Sequence, residues 1–435
     1  MPAFLRALRH RNYRLFISGQ LISLIGTWMQ SVAESWLVYR LTGSPVLLGA
    51  IGFANRIPVL LFSTVGGAMA DRYNRQHIVI ATQIASMCLA GMLAFLTLSG
   101  LVQVWHLMAI AAALGIVNAF DIPARQSFVV QLVAREDLQN AIALNSSMFN
   151  GARIVGPAVA GVLVATVGEG WCFFGNALSY IAVLVGLVLI RVTPPPAAER
   201  PRSALAHVAE GFRFALGSRP IRALLLLLGL VSLMGSPYAV LMPIIADQTF
   251  EAGVRGLGIL MGAAGVGAFI GALSLARRTT LRGYGKSIAF AAVGLGTSLI
   301  AFSAARQLWL AVALLVPVGF AMMTQMAASN TLIQSMVPDT LRGRVMAIYS
   351  MMFMGMAPVG ALLSGILAER LGAAPTVALG GAFCIAGGLI LLWRLPGIRA
   401  DARRLILDQE SLALPQSPAG AEPAPARLSG SSSRP

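Results

Sequence analysis

Gly67-Ala68-Met69-Ala70-Asp71-Arg72-Tyr73-Asn74-Arg75 is a tight hinge with one acid, two arginines and an amide, set between two long apolar runs. A soluble fold offers no simple reason for charge packed into so short a link. A bilayer does: about 20 apolar residues cross the hydrocarbon as a helix, and the charged link then falls just outside it. The stretch therefore reads as a loop between two membrane spans.

Composition agrees with that reading. Apolar residues make up 57% of the chain and charged ones 11%, whereas soluble domains carry about a quarter charged residues. Mean hydropathy is +0.77. A net charge of +16 would suggest a nucleic-acid partner if the bases shared one soluble face. Instead 31 arginines and the single Lys286 recur in short bursts between apolar runs, so the expected partner is the lipid bilayer and not nucleic acid. Cys88, Cys172 and Cys384 lie far apart, within or at the edge of apolar runs, and suggest neither a disulfide framework nor a metal site.

Working outward from the hinge, twelve apolar runs can be placed, the first from Leu15 to Tyr39 and the last from Pro375 to Trp393. The expected fold class is an all-α membrane protein of twelve transmembrane helices in two six-helix bundles. A basic arm covers 1–14, the first bundle 15–191, a central loop 192–220, the second bundle 221–394 and a disordered tail 395–435. In the central loop Leu205, Val208, Phe212 and Ala215 recur at helical spacing, which predicts an amphipathic helix at the membrane surface. With both termini inside, alternate loops place 24 Lys and Arg residues on the cytoplasmic side against four outside. That asymmetry predicts the orientation. The first run is too long for a signal-peptide core, and it follows an arginine-rich arm, so it is expected to stay in place.

An internal repeat supports two bundles. At an ungapped offset of 204, Gly67 pairs with Gly271, Ser146 with Ser350, Phe149 with Phe353, Gly151 with Gly355, Gly161 with Gly365 and Gly168 with Gly372. Duplicated bundles with a site at the midplane between them are a recurring carrier design.

With these residues in view, the chain resembles the major facilitator superfamily, and within it the branch of bacterial exporters that includes the enterobactin exporter, over about Leu8 to Arg394. Gly67, Asp71, Arg72 and Arg75 match that superfamily's loop after the second span, while Asn74 and Gln76 depart from it. The resemblance implies that this loop latches an inner gate; electrostatics lets Asp71 face the positive end of the eleventh span and Arg72 or Arg75 pair with Asp121, the alternative being a plain topology signal that holds the loop inside. In the fifth span Ala152, Gly156, Pro157 and Gly161 resemble the superfamily's antiporter motif, with Ala in several Gly positions. The arginine that superfamily members carry in the fourth span is replaced by Ala111, so no proton relay through it is implied. The likeness further implies a monomeric transporter rather than an enzyme, with no bound cofactor, in a bacterial inner membrane.

Candidate proton and substrate residues follow from polarity inside the spans. Gln20, Ser23, Thr27, Gln30 and Glu34 form one polar stripe along the first span. Arg56 and Arg153 fall near the middle of their spans, where an unpaired Arg costs at least about 2.5–3.5 kcal/mol. Either they are functional, or Glu34, Asn55, Asn118, Asn150 and helix carbonyls satisfy them. Two deep cations against one acid suit a bulky anionic or polyphenolic small-molecule substrate. No nucleotide-binding signature occurs, so the expected energy source is a proton gradient with Glu34 as carrier group. The favoured function is proton-coupled efflux of a siderophore or drug-like compound. Uptake by symport uses the same fold, and a membrane sensor is a third reading; flux separates transport from sensing.

Overall fold

The computed structural model describes residues 3–192, 204–278 and 280–413. Twelve helices long and apolar enough to cross a bilayer follow one another: Arg11–Thr42, Pro45–Arg72, Arg75–Leu98, Val104–Val129, Arg135–Val167, Glu169–Leu189, Arg219–Thr249, Gly253–Ala276, Tyr284–Ala304, Leu308–Met336, Asp339–Leu371 and Ala373–Leu407. They are spans 1 to 12. Helices satisfy every backbone polar group within one segment, which hydrocarbon demands. Large apolar side chains such as Phe95, Val188 and Trp393 stand exposed around the outside, where lipid is their natural neighbour.

Local chemistry sets the turns. Ser44 accepts a hydrogen bond from the Leu47 amide at 3.3 Å and Pro45 opens span 2, while Asn74 accepts from the Gln76 amide at 2.9 Å and opens span 3. Spans 5 and 11 end alike, at Gly168 with φ 89° and Gly372 with φ 90°, a conformation that L side chains avoid. Those two glycines are a pair of the 204-residue repeat, so the duplication extends to backbone geometry.

Spans 1 to 6 pack as one bundle and spans 7 to 12 as another, joined where span 2 lies on span 11 and span 5 on span 8. One face of the molecule carries Arg72, Arg75, Arg125 and Arg135 and is termed the basic face; the other is the opposite face. At the basic face the amino-terminal arm is anchored rather than loose. Arg6, Arg9 and His10 surround the buried Asp137 carboxylate at 3.4, 2.8 and 2.8 Å.

Two features depart from the sequence reading. Spans 7 and 11 are not uniform α-helices: wide π-turns occupy Val231–Gly235, Ile245–Thr249 and Met351–Gly355. The Ser232 hydroxyl donates to the Phe353 carbonyl at 2.5 Å and links two of them. The last helix continues to Ala413, through residues expected to be disordered from 395 onward. Leu395, Ile398, Ala402, Leu405 and Ile406 provide the reason, an apolar stripe laid against the second bundle; residues 414–435 lie outside the described part. The central loop forms its helix at Ala204–Gly217, with Phe212 and Ala215 against the core and Glu210 paired to Arg344 of span 11. The side chains of Leu205 and Val208 and the loop residues 193–203 lie outside the described part.

Small residues set how closely spans cross. A Cβ on Gly267 would collide with the Val316 carbonyl in the crossing of spans 8 and 10, whereas one on Gly91 would meet nothing within 4 Å. Gly267→Ala is expected to destabilise the protein by about 1–3 kcal/mol, the usual cost of overpacking. Its thermal midpoint in detergent should fall, and that of Gly91→Ala should not.

Candidate functional site

The two bundles are pressed together toward the opposite face. A Cβ on Gly49 would stand 2.5 Å from the Ala361 carbonyl oxygen, and one on Gly365 2.6 Å from that of Pro45. On the other seam, a Cβ on Gly258 would stand 2.6 Å from the Pro157 carbonyl oxygen and 2.9 Å from Gly161 Cα. At this end the Tyr39 hydroxyl of span 1 donates to Asp247 Oδ2 of span 7 at 2.8 Å, a polar tie between bundles. Nearby, Arg40 pairs with Glu169 at 2.8 Å within the first bundle.

The seams loosen with depth. At mid-membrane Gly265 still lies close to the Arg153 carbonyl and Gly355 close to Leu60. Beyond that, toward the basic face, Asp339–Ser350 of span 11 lacks the packing on span 2 that Met356–Leu371 makes, and nothing lies within 4 Å of where a Gly67 Cβ would be. The bundles thus enclose a cleft, shut at the opposite face and open at the basic one.

The stripe on span 1 divides between two surroundings. Gln20, Ser23 and Gln30 are buried, and Gln30 accepts from the Asn176 amide of span 6 at 2.7 Å. Gln30 is therefore a packing residue of the first bundle and not part of the cleft wall, because Asn176 offers it a buried partner. Thr27 remains exposed, its hydroxyl turned to the Ser23 carbonyl at 2.9 Å. Glu34 is 9% exposed and makes no hydrogen bond or ion pair among the described residues.

The deep arginines are not neutralised in the way the sequence allowed. Arg56 is exposed and Arg153 half-buried, with the Arg153 guanidinium 5.8 Å from the centre of the Trp28 ring. Neither pairs with Glu34, nor do Asn55, Asn118 or Asn150 bond to them. Asn150 donates to the Ser146 carbonyl at 2.8 Å, Asn55 reaches only the Ala111 carbonyl at 3.5 Å, and Asn118 is half-buried.

In the fifth span the small-residue run presents two faces. Ala152 is fully buried, Gly156 sits against Trp28 of span 1, and Pro157 and Gly161 meet Gly258 of span 8. The run thus contributes to the seam that shuts the opposite face.

At the basic face the expected pairing of Arg72 or Arg75 with Asp121 is not formed. Asp121 is already held by Arg125 at 3.1 Å, one turn along its own helix, and accepts from Thr82 at 2.9 Å and Gln83 at 3.0 Å. Arg75 reaches Asp71 at 3.7 Å and donates to the Ala70 carbonyl at 3.1 Å, while Arg72 lies 5.9 Å over the Tyr73 ring. The Asp71 side chain is 67% exposed and makes no bond to the start of span 11. With the bundles apart at this face, the loop has no partner across the cleft. Sequence reasoning missed the Tyr39 and Asp247 tie, since neither residue belongs to a motif and 208 positions separate them.

Residues 3–415 match the family described as transmembrane secretion effectors. The chain is 28% identical over 376 residues to the staphyloferrin A transporter of Staphylococcus aureus, covering 85% of this chain and 92% of that protein. It is 27% identical over 388 residues to the enterobactin exporter EntS of Shigella boydii, covering 88% and 92%. Among solved structures, the nucleoside transporter NupG superposes with a TM-score of 0.70 at 13% identity, covering 88% of this chain and 98% of that one. A bacterial homologue of the lysosomal transporter Spinster, inward-facing and unoccupied, gives 0.65 at 15% identity, covering 94% and 99%. At such identities the likeness to solved structures concerns the fold alone.

Tyr39→Phe removes the bridging hydroxyl, a loss of about 1 kcal/mol. The fraction of molecules open at the opposite face is expected to rise about fivefold. Distances between spin labels at the opposite-face ends of spans 1 and 7 measure it, and an unchanged distribution would make the tie incidental.

Proposed function

The chain belongs to the transmembrane secretion effector family of the major facilitator superfamily and is a transporter, and from that premise we propose that it exports a small organic molecule across the bacterial inner membrane, driven by protons. The observation that carries the reading is the cleft between bundles, open at one face only, with ionisable groups midway along its walls. The arginine bias supports a cytoplasmic basic face and cytoplasmic termini. The open end of the cleft then faces the compartment from which an exporter loads. One relative is named as an exporter and both are named for siderophores, which favours a siderophore or a similar drug-sized solute as cargo.

In this scheme Gly67, Asp71, Arg72 and Arg75 form the cytoplasmic latch. The exposure of Asp71 and Arg72 when the cleft is open is what a contact made only in the other state requires. An exposed ion pair contributes about 0–1 kcal/mol, weak enough to break in every cycle. Asp121 keeps its own partners and braces spans 3 and 4 behind the loop. The antiporter-like run of Ala152, Gly156, Pro157 and Gly161 shuts the outer path while cargo loads.

Glu34 is the proposed proton carrier. It lies about 9 Å below the outer end of span 1, taking 1.5 Å per residue to Arg40, and its carboxyl has no fixed partner to hold it in one charge state. One proton moving down 100 mV supplies about 2.3 kcal/mol, or roughly fiftyfold accumulation.

Everted membrane vesicles containing the protein test the reading with a panel of siderophores and dyes. An imposed proton gradient is expected to drive accumulation of at least one panel compound. Glu34→Gln should abolish the gradient-driven part and leave exchange intact. Full gradient-driven accumulation in the variant would remove Glu34 from this role.

A further inference from the structure

We propose that Lys286 of span 9, with Arg399 and Arg403 of the span 12 extension, forms a binding site for an anionic phospholipid with two phosphates, of the cardiolipin type, whose acyl chains lie along the groove between spans 9 and 12. The site is independent of the transport reading, which gives these residues no role.

Spans 9 and 12 run antiparallel in close contact. A Cβ on Gly381 would stand 2.6 Å from the Gly296 carbonyl oxygen, one on Gly388 2.8 Å from that of Ala289, and one on Gly285 2.9 Å from Leu395 Cδ1. The row of span 12 that carries Gly381, Gly388 and Leu395 therefore faces span 9. Span 9 begins at Tyr284, level with Leu395, whereas the helix of span 12 continues to Ala413. Arg399 and Arg403 extend the same row by one and two further turns, past the end of the partner helix, and both are exposed. Ile398, Ala402, Leu405 and Ile406, half-buried against the second bundle, hold the extension in place.

The third cation stands across the seam. Lys286 follows Gly285 by one helical step, Phe290 follows Ala289 and, on span 12, Leu389 follows Gly388; each step is a rotation of about 100°. In antiparallel helices, equal steps away from a shared seam turn toward the same side of it. Lys286, Phe290 and Leu389 thus line one side of the seam, and Trp393 lies one turn beyond Leu389. Phe290 is 61% and Trp393 79% exposed, an apolar surface suited to acyl chains, with an indole at the level where tryptophan borders headgroups. The chain gives the three cations no acid. Lys286, Arg399 and Arg403 make no ion pair among the described residues, and Asp401, two positions from each arginine, lies on the other side of the helix. Guanidinium forks and an ammonium both take phosphate oxygens. Arg399 and Arg403 are separated by a rise of about 6 Å along the helix, and Lys286 offers a third point, which suits two phosphates joined by a short bridge.

Cardiolipin, phosphatidylglycerol and phosphatidylcholine are titrated into the full-length protein in detergent and bound lipid is counted by native mass spectrometry, with pyrophosphate as the headgroup-only probe. One cardiolipin is expected to be retained at least about tenfold more tightly than either other lipid, and equimolar pyrophosphate is not expected to displace it. The triple variant Lys286→Gln, Arg399→Gln, Arg403→Gln should weaken cardiolipin about a hundredfold, at roughly fivefold per cation. A control variant with Arg14→Gln, Arg191→Gln and Arg213→Gln removes the same charge from exposed positions elsewhere on the basic face, and should change the affinity by less than about threefold. Each variant is used only if monodisperse by size exclusion, and the lipid comparison on unaltered protein stands without them. Equal retention of phosphatidylglycerol or phosphatidylcholine, displacement by equimolar pyrophosphate, or an equal loss in both triple variants overturns the site.

Discussion

Close approach of helix backbones at two seams governs everything else in this molecule. In hydrocarbon no hydrophobic force holds helices together, so the bundles adhere through packing where side chains are small. Gly49 against Ala361, Gly365 against Pro45, and Gly258 against Pro157 and Gly161 supply that packing, and all lie toward one face. Pro157 and Ala361 occupy equivalent places in the duplicated halves, so the two seams are copies of one design. Where the small residues stop, the bundles part. The cleft is the direct result of where glycine, alanine and proline are placed along four spans.

Much of this architecture was legible before any coordinates because lipid is a strict solvent. Run length, arginine placement and the 204-residue register each follow from bilayer physics or from duplication, and the spans and the paired glycines at Gly168 and Gly372 appear where those signals point. The tail was misread because composition was weighed without phase: scattered charge hid the stripe of Leu395, Ile398, Ala402 and Leu405. The π-turns were invisible for another reason. An added residue in a helical turn leaves hydropathy unchanged, so Val231–Gly235 and Met351–Gly355 read like any apolar run.

The candidate site was legible only as a set of polar residues, not as an arrangement. Gln30 and Glu34 sit one turn apart on span 1, yet Asn176 engages the first and nothing engages the second. Asp121 has a cation four residues away on its own helix, and that local partner wins over the distant arginines of the loop. Partner choice across spans depends on side-chain reach and on how far the bundles have opened. Neither quantity is encoded in spacing along one helix.

The link from Ser232 to the Phe353 carbonyl joins the wide turns of spans 7 and 11. A wide turn frees a carbonyl from its usual partner and lets a helix bend there. Here the freed oxygen is claimed by a neighbouring span, so a change of curvature in one of these helices is geared to the other. The second half of the carrier thus has its two wide-turned helices tied at one point: span 11, and span 7, which carries Asp247 at the opposite face. Bending of either helix at its wide turn would therefore strain the shared hydrogen bond.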